Sequence, residues 1–462
     1  MWGAEIDWAR WAIYFLAAVP FLAWLLFTTD NVMRLLAVAG TLIFVQDSLA
    51  GRRHLWAFAL GPSLMVCYAA LSSVLLQRGR LPRLGAVGPL WLGYLVCGFG
   101  TAIGGSIGTD LLRENLRYFQ FILLEGFFLF LTSTSVLRSV DEAERFVRRL
   151  PWIGLGVAAI HLFAIATGFR FRDALEGSYD SIYYGANLGA ANSLGSFYGM
   201  MIPTALFLLL RVRLSRLGWA VTTASLIAMI GSLFVSSSRG GMLVAVVVSV
   251  MVLAWSGAGI GRALLTAGFA VLALAGTYWM LVTVLPDEWQ QVLGLLEEEG
   301  LESTRLANFA IYLRIVLDHP FGVGMSPENV VAIASFYRTF VHNAHNAYLN
   351  AAVYTGWAGL TVLLALFSVL LARNVGAIVR AREPQRRALA MAFFVPLLAY
   401  LLVATVEPVM FVGYKVGHFF WLIAGASWAA CGRILAEARA PEIGAEAEGA
   451  AGLSDAARVQ HA

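Results

Sequence analysis

Charged residues are scarce in this chain of 462 residues, of which Asp, Glu, Lys and Arg make up only 13%. Soluble globular proteins carry about a quarter of such residues, so the scarcity excludes an ordinary soluble domain. Hydrophobic residues make up 60%, and apolar runs near or above the roughly 18-residue spanning length recur from end to end. The alternating segments of a transmembrane β-barrel are absent. We therefore predict an all-α, polytopic transmembrane helical bundle.

Cysteine and clustered basic charge are scarce too. The three cysteines, Cys67, Cys97 and Cys431, lie inside apolar segments without paired spacing, which indicates small core residues and no disulfide framework or metal site. The net charge of +4 comes mainly from arginines in short loops. No basic patch is interleaved with aromatic residues, so we expect no nucleic-acid partner. We also expect no cofactor.

Apolar runs divide the chain into about 12 or 13 predicted membrane spans. The first has no convincing small-residue cleavage site, so we expect a retained helix and not a signal peptide. The predicted domains are transmembrane helices 1 to 10 over 1–285, an outer catalytic loop over 286–346, helices 11 to 13 over 347–433, and a disordered cytoplasmic tail over 434–462. The predicted extents of the spans are 11–28, 33–47, 56–77, 84–104, 118–138, 151–168, 193–211, 217–236, 241–257, 263–285, 347–371, 387–407 and 411–432.

Arginine placement predicts the orientation, because cytoplasmic loops carry an excess of Lys and Arg. The arginines within 78–83, 145–149, 211–216 and 373–387 fall on one side when the spans alternate. That side is predicted to be the cytoplasm. The long loop 286–346 then lies on the outer side.

This outer loop, 286–346, contains the pattern of a short amphipathic helix near 303–318. A Ser or Thr can cap its start, and Pro320 ends it. Arg305 and Tyr312 share a polar stripe beside the apolar one. We expect the helix to lie on the membrane surface and to cover a cavity. The apolar residues at helical spacing are Leu306, Phe309, Ala310, Leu313, Val316 and Leu317.

Arg239 is the main candidate for an anion site. It follows three serines and precedes two glycines, which places it at the outer end of the predicted span 217–236. A guanidinium that faces a cavity suits phosphate, because its planar donors bind phosphate oxygens in pairs. Ser238 and the glycines would let a phosphate approach the backbone. The alternative is a snorkelling arginine that marks a helix end.

Two His-Asn pairs, His342-Asn343 and His345-Asn346, lie where the outer loop re-enters the membrane. Histidine is the side chain best suited to exchange protons near neutral pH, so one of them is a candidate general base. The alternative is a structural interfacial histidine. Two histidines three residues apart also suggest zinc, but no Asp, Glu or Cys accompanies them at ligand spacing, so we expect no metal.

Other ionisable residues have competing interpretations. Arg305 has nearby glutamates as partners for an ordinary surface ion pair, and Arg314 on the same predicted helix is a competing anion ligand. Arg117, in an outer loop, could add to an anion-attracting vestibule. Ionisable residues at membrane depth are functional hypotheses by default. For the four such residues near the outer turn and in the fifth span we favour buried pairs that tie helices together: Glu125, Glu407, Lys415 and His418.

Together these segments resemble the O-antigen ligase and polysaccharide polymerase superfamily of bacterial membrane glycosyltransferases. Agreement covers about 190 to 365, and the spacing to the downstream Tyr-Leu pair and glycine favours His345 over His342. Tyr354 stands where many relatives carry an acidic residue. The matching residues are Asn192, Ser238-Arg239-Gly240, Arg305, Asp318-His319-Pro320, Gly322, Gly324, His345-Asn346-Ala347-Tyr348-Leu349, Gly356 and Gly359-Leu360.

The resemblance implies a metal-independent, inverting transfer of a glycan from an undecaprenyl-pyrophosphate carrier to a sugar hydroxyl of lipid A core or another glycan. It also implies a multi-pass protein of the bacterial inner membrane with its active site on the periplasmic face. The implied catalytic base is His345. The implied pyrophosphate- or substrate-binding residues are Arg239, Arg305, Ser238, Asn346 and Tyr312, with His342, Arg314, Arg117 and Asn192 as further candidates.

The sequence is compatible with three functions. A ligase attaches the glycan to lipid A core, whereas a polymerase joins lipid-linked repeat units, and the sequence does not separate them; we favour the ligase. A transporter or lipid flippase also needs many helices and a few buried charges. Against it, the sequence has no internal repeat and no paired Gly/Pro-broken helices.

Overall fold

All regular structure in the described residues of the computed structural model is helical. The described residues are 21, 23–45, 62–79, 84–167, 191–236, 238–256, 301–337, 343–410 and 414–459. Within these ranges, side chains are described except at 44–45, 62–64, 191, 256, 301–307, 414 and 440–459.

The helices are numbered here in chain order. They are α1 Asn31–Gly40, continued by a π-helical turn Thr41–Val45; α2 Pro62–Arg78; α3 Val87–Gly104; α4 Leu112–Phe119, joined through a π-helical turn Gln120–Leu124 to α5 Glu125–Val136; α6 Val140–Thr167; α7 Ala191–Arg211; α8 Arg216–Val235; α9 Arg239–Ser256; α10 Leu301–Asp318; α11 Pro327–Phe336; α12 Ala347–Arg380; α13 Pro384–Val403; and α14 Tyr414–Val459.

Eight helical segments of the described chain are long and apolar enough to cross a membrane. They are α3, α4 with α5, α6, α7, α8, α12, α13 and α14, while α1, α2 and α9 are shorter apolar helices. The predicted all-α polytopic bundle is therefore confirmed. The predicted span 263–285 and most of 11–28 lie outside the described residues, so the predicted total of 12 or 13 spans stays a prediction.

An aromatic cluster holds the centre of the bundle. Trp91 on α3 and Trp421 on α14 pack with ring centroids 4.5 Å apart, and Phe367 on α12 lies 5.6 Å from Trp421. Phe130 on α5 completes the cluster at 5.9 Å from Trp91. Aromatic pairs of this kind contribute about 0.5–1.5 kcal/mol beyond the burial of their area. The cluster therefore fixes α12, whose first residues follow the histidine segment, against three other helices.

Arginine-rich junctions meet at one end of the bundle. Arg78, at the end of α2, donates through Nη1 to Ser135 O at 3.1 Å. Arg386, in the first turn of α13, lies 3.1 Å from Asp141 Oδ1 at the start of α6. The start of α12 and the end of α13 therefore lie at the opposite end, which we call the site end.

Helix α12 is interrupted at Gly356, whose φ of +71° lies in the left-handed region that favours glycine. The turn that follows α10 enters this interruption. The Trp357 N–H donates to Pro320 O at 3.0 Å, and the Val323 N–H donates to Val353 O at 2.8 Å. The turn is thus hydrogen-bonded to α12 on both sides of the break.

The predicted helix near 303–318 is confirmed as α10, but its faces differ from the prediction. Tyr312 and Val316 are buried, whereas Phe309, Leu313 and Leu317 are exposed at a spacing of four residues. Tyr312 was expected on a polar stripe. It is fully buried in the region where α10 packs on α12, whereas three residues of the predicted apolar face point outward.

Helix α14 continues to Val459, into the tail for which the sequence predicts disorder. The tail is rich in Ala and Glu, which are strong helix formers and favour local helix without a packed core. Its assignment to the cytoplasm stays a prediction.

Candidate active site

The histidine-bearing segment forms a tight turn before α12. His345 adopts a φ of +49°, which is uncommon for a residue other than glycine. Its N–H donates to Asn343 Oδ1 at 2.9 Å, and the Ala344 N–H donates to Oδ1 of the buried Asn350, also at 2.9 Å. Left-handed conformations of this kind persist only where the surroundings hold them, and they cluster at functional sites. The turn therefore holds His345 in one defined position.

The side chain of Asn346 fastens this turn in two directions. Its Oδ1 accepts from the Leu349 N–H at 2.8 Å and so caps α12, while its Nδ2 donates to Thr405 O at 2.9 Å. The Ala347 N–H donates to Ala404 O at 2.8 Å. These bonds join the start of α12 to the turn after α13. The predicted contact of Asn346 with substrate stays a prediction.

The turn after α13 brings Glu407 to His345. The carboxylate is 1% exposed, and its Oε2 lies 4.0 Å from His345 Nδ1. Among the described residues, none hydrogen-bonds to His345 Nδ1. The His345 side chain is 28% exposed. The imidazole thus has one nitrogen turned to a buried carboxylate and retains access from outside.

Arg239 is the first residue of α9. The sequence placed it at the outer end of the preceding helix, but α8 already ends at Val235. A helix N-terminus carries partial positive charge, which adds to that of the exposed guanidinium. A Cβ added to the next residue, Gly240, would lie 3.1 Å from Glu407 Oε1. The first turn of α9 therefore contacts the carboxylate that faces His345.

Ser238 is turned into the packing between α7 and α9. It is 1% exposed, and a Cβ added to Gly195 would lie 2.1 Å from its Oγ. A Cβ added to Gly241 would lie 2.4 Å from Gly195 O, so the two helices meet backbone to backbone. The half-buried Asn192 lies one turn before Gly195, near this contact. Small residues at this crossing thus set the position of Arg239.

The predicted residues of the outer loop are only partly described. His342 and the side chain of Arg305 lie outside the described residues. Tyr312 is fully buried, and burial raises the pKa of its phenol above the ordinary value. Arg314 is 75% exposed, with Nε 3.8 Å from Asp318 Oδ2. Tyr312 is therefore packed in the core and Arg314 forms an ion pair at the surface, and their predicted roles in substrate binding stay predictions.

Arg117 makes local contacts on α4. Its Nη1 lies 3.4 Å from Glu114 Oε2, and its guanidinium stands 5.6 Å from the centre of the Phe121 ring. They do not test whether Arg117 contributes to an anion-attracting vestibule, which stays a prediction.

A buried asparagine network, which the sequence did not reveal, anchors the loop helices. Asn115 on α4 accepts from the Ser326 N–H at 2.8 Å, just before α11. Asn329 on α11 donates through Nδ2 to Gly105 O and to Val323 O, both at 2.7 Å. Two asparagines far apart in sequence give no signal in hydropathy or spacing. They tie α11 and the turn after α10 to the ends of α3 and α4.

The buried ionisable residues divide into two groups. His418 Nδ1 on α14 lies 3.9 Å from Glu125 Oε1 on α5, which agrees with a pair that ties two helices. Glu407 was expected to serve the same purpose. It also faces His345, because the turn after α13 is fastened to the start of α12, and its expected pairing between helices stays a prediction.

The described residues contain no group of three or more His, Cys, Asp or Glu side chains that could hold a metal ion. The candidate base His342 lies outside them, so a metal-independent reaction stays a prediction. Within the described geometry, the groups gathered at the site end include a cation at a helix N-terminus, a buried carboxylate and an imidazole. This set suits anion binding and proton transfer.

Comparison with known proteins agrees with these residues. Residues 224–364 match the family described as O-antigen ligase. The matched segment begins before Arg239 and includes α10 and His345. The resemblance predicted from the sequence is therefore confirmed over this segment. The matched segment ends at residue 364, before Glu407. Among curated proteins, none matches the chain.

Proposed function

We propose that this multi-pass membrane protein transfers a glycan from an undecaprenyl-pyrophosphate carrier to a sugar hydroxyl. The match to the O-antigen ligase family supports a glycosyltransferase of the ligase and polymerase type. One observation carries the proposal: Glu407 lies close both to His345 and to Gly240 in the first turn of α9. It supports a site in which a candidate base lies beside a candidate anion-binding residue.

In this proposal Arg239 binds the pyrophosphate of the donor. The planar guanidinium donates to two phosphate oxygens at once, and the N-terminus of α9 adds partial positive charge. Negative charge grows on the pyrophosphate as it leaves, so fixed cations stabilise the transition state more than the ground state. Arg305 on α10 supplies the second cation. A bound metal is then not needed to balance the charge.

His345 accepts the proton of the acceptor hydroxyl. The hydroxyl oxygen forms a bond to the anomeric carbon while the bond from that carbon to the pyrophosphate oxygen breaks. The bonding electron pair leaves with undecaprenyl pyrophosphate, and the proton remains on the imidazole until it passes to water. Attack opposite the leaving group inverts the anomeric configuration. A base of this kind contributes about 10²–10⁴-fold to the rate.

The arginine-rich end of the bundle faces the cytoplasm in this proposal, because positive loops are retained there. The site end then faces the periplasm of a bacterium whose inner membrane holds the protein. The segment 286–346 is its outer loop. The exposed edge of α10, formed by Phe309, Leu313 and Leu317, rests against lipid.

Lipid A core is the proposed acceptor, which makes the protein a ligase. A polymerase that uses a second lipid-linked repeat unit as acceptor has the same site chemistry. The two differ only in which hydroxyl enters. A flippase, the alternative from another class, would move the lipid-linked donor without breaking its bond to the carrier.

A reconstituted assay tests the proposal. The purified protein in nanodiscs is given a lipid-linked glycan donor and, separately, lipid A core or a second lipid-linked repeat. Glycosylated lipid A core with release of undecaprenyl pyrophosphate supports the ligase. Lengthened lipid-linked chains support the polymerase instead. A donor that stays intact with both acceptors contradicts the proposal, and its unaltered passage across a proteoliposome membrane supports the flippase.

A further inference from the structure

Glu407 occupies a position between two functional groups that its helix-tying interpretation does not explain. The carboxylate is 1% exposed, and Oε2 lies 4.0 Å from His345 Nδ1. On its other side, Oε1 would be 3.1 Å from a Cβ placed on Gly240 in the first turn of α9. A buried carboxylate is stabilised only by positive charge or by hydrogen-bond donors. Its neighbours among the described residues include an imidazole and the positive end of a helix.

The backbone holds this arrangement in register. Asn346 Nδ2 donates to Thr405 O at 2.9 Å, and the Ala347 N–H donates to Ala404 O at 2.8 Å. Both acceptors lie within three residues of Glu407, and both donors lie within two residues of His345. His345 itself has a left-handed φ of +49° in this turn. The two side chains are thus brought together by bonds between the residues that follow His345 and those that precede Glu407.

We propose that Glu407 is the positioning residue of the His345 base, an inference that rests on the proposed function. Its carboxylate accepts a hydrogen bond from Nδ1–H and so fixes the tautomer in which Nε2 is free. Nε2 then takes the proton of the acceptor hydroxyl, and the ionised carboxylate stabilises the resulting imidazolium. Glu407 itself does not become protonated, in the manner of the carboxylate in a Ser-His-Asp triad.

The 4.0 Å separation is longer than a hydrogen bond. Hydrogen bonds of catalytic groups are commonly long without substrate and shorten when substrate binds. The N-terminus of α9, which carries partial positive charge, lies beside the carboxylate at Gly240. The segment that matches the family ends at 364, so this role is not part of that match.

The test measures kcat and KM for the lipid-linked donor in Glu407→Gln, Glu407→Asp and a matched control, Glu383→Gln. Glu383 is an exposed glutamate at the arginine-rich end, 3.8 Å from Arg386. We expect Glu407→Gln to lower kcat about 10²-fold with KM nearly unchanged, as loss of an orienting carboxylate does. Glu407→Asp should recover part of the loss, and Glu383→Gln should match the wild type.

A double-mutant cycle separates this role from a structural one. Because Glu407 acts through His345, adding Glu407→Gln to His345→Ala should cause no further loss of kcat. Additive losses, a rise in KM without a fall in kcat, or unchanged kinetics each overturn the positioning role. If Glu407→Gln is not recovered folded, the cycle is run with Glu407→Asp, and the same outcomes apply.

Failure of the wild type to transfer glycan to either acceptor overturns the proposed function and this role with it. If the wild type is active and the Glu407 variants have unchanged kinetics, only this role is overturned.

Discussion

Gly322 and Gly356 meet backbone to backbone, so that a Cβ on Gly322 would lie 2.8 Å from the Gly356 nitrogen. Both residues have positive φ, +87° and +71°. Through this contact the turn after α10 seats in the break of α12. The glycine spacing that carries the family resemblance thus has a structural cause. The contact joins the turn after α10 to α12, the helix that begins just after His345.

Replacement of Gly356 by alanine should destabilise the protein. The added Cβ would lie 2.6 Å from Phe321 C, and left-handed backbone strain alone costs about 1–3 kcal/mol. Thermal unfolding in detergent measures the effect. The control is Gly100→Ala on α3, where no atom lies within 4 Å of the new Cβ. A Gly356→Ala protein as stable as the control would contradict the seating of the turn in the helix break.

Two substitutions of Asn346 should separate its cap from its bond to Thr405. Asn346→Ser keeps a side-chain acceptor for the Leu349 N–H but is too short to reach Thr405 O. Asn346→Ala loses both contacts and should cost about 1 kcal/mol more in the free energy of unfolding.

The transfer rate should fall several-fold in both Asn346 variants, because the bond to Thr405 holds the segment of Glu407 against His345. Unfolding and transfer assays are run on the same preparations. Wild-type activity in Asn346→Ser would show that this bond does not position the base.

His345→Ala should reduce transfer by about 10²–10⁴-fold, the range that a general base contributes. The protein should remain folded and inserted, because the turn is held by backbone and asparagine contacts. His342→Ala should be milder. Assays of the two variants side by side with purified donor decide between the histidines, and an inactive His342→Ala with an active His345→Ala would reverse the assignment. EDTA should leave the wild type unaffected, whereas loss of activity with EDTA would require a metal.

The hydrogen bond from Tyr337 Oη to Asp318 Oδ2, 2.5 Å long, should be visible in a pH titration. This bond raises the pKa of Tyr337 above its ordinary value. A raised folded-state pKa means that the stabilisation is present below the pKa of the unfolded state. It is lost as pH rises through the folded value.

Ultraviolet difference spectra between the wild type and Tyr337→Phe isolate the titration of this phenol. In Asp318→Asn it should ionise at lower pH than in the wild type. The same titration curve in both proteins would exclude the hydrogen bond as its cause.

The sequence predicted the features that depend on local pattern. Apolar run length gave the spans because a membrane requires about 20 apolar residues per helix. His345 and Arg239 were chosen as candidates because they interrupt apolar segments at helix ends, and their roles stay predictions. Proline at 320 predicted where α10 ends, because its ring blocks continuation of a helix.

Features that depend on distant contacts were missed. Glu407 lies 62 positions after His345 in the sequence, by subtraction of their numbers. A hydropathy pattern describes only neighbouring residues, so it does not predict that these two side chains lie close together. Tyr312 was assigned to a polar stripe because its hydroxyl was weighted over its ring, whereas packing against α12 buries the whole side chain. The asparagine network around Asn115 was missed for the same reason, since buried amides look like any polar residue in a sequence.

The most direct test of the account is the transfer rate of Arg239→Lys with a purified lipid-linked donor. Lysine keeps the charge but loses the planar pair of donors, so the change asks whether this residue holds the pyrophosphate. Arg213→Lys, at an exposed arginine between α7 and α8, is the matched control. At equal expression, we expect Arg239→Lys to show a large fall in transfer rate and weaker donor binding. Arg213→Lys should match the wild type. Transfer and donor binding equal to the wild type in Arg239→Lys would contradict the account.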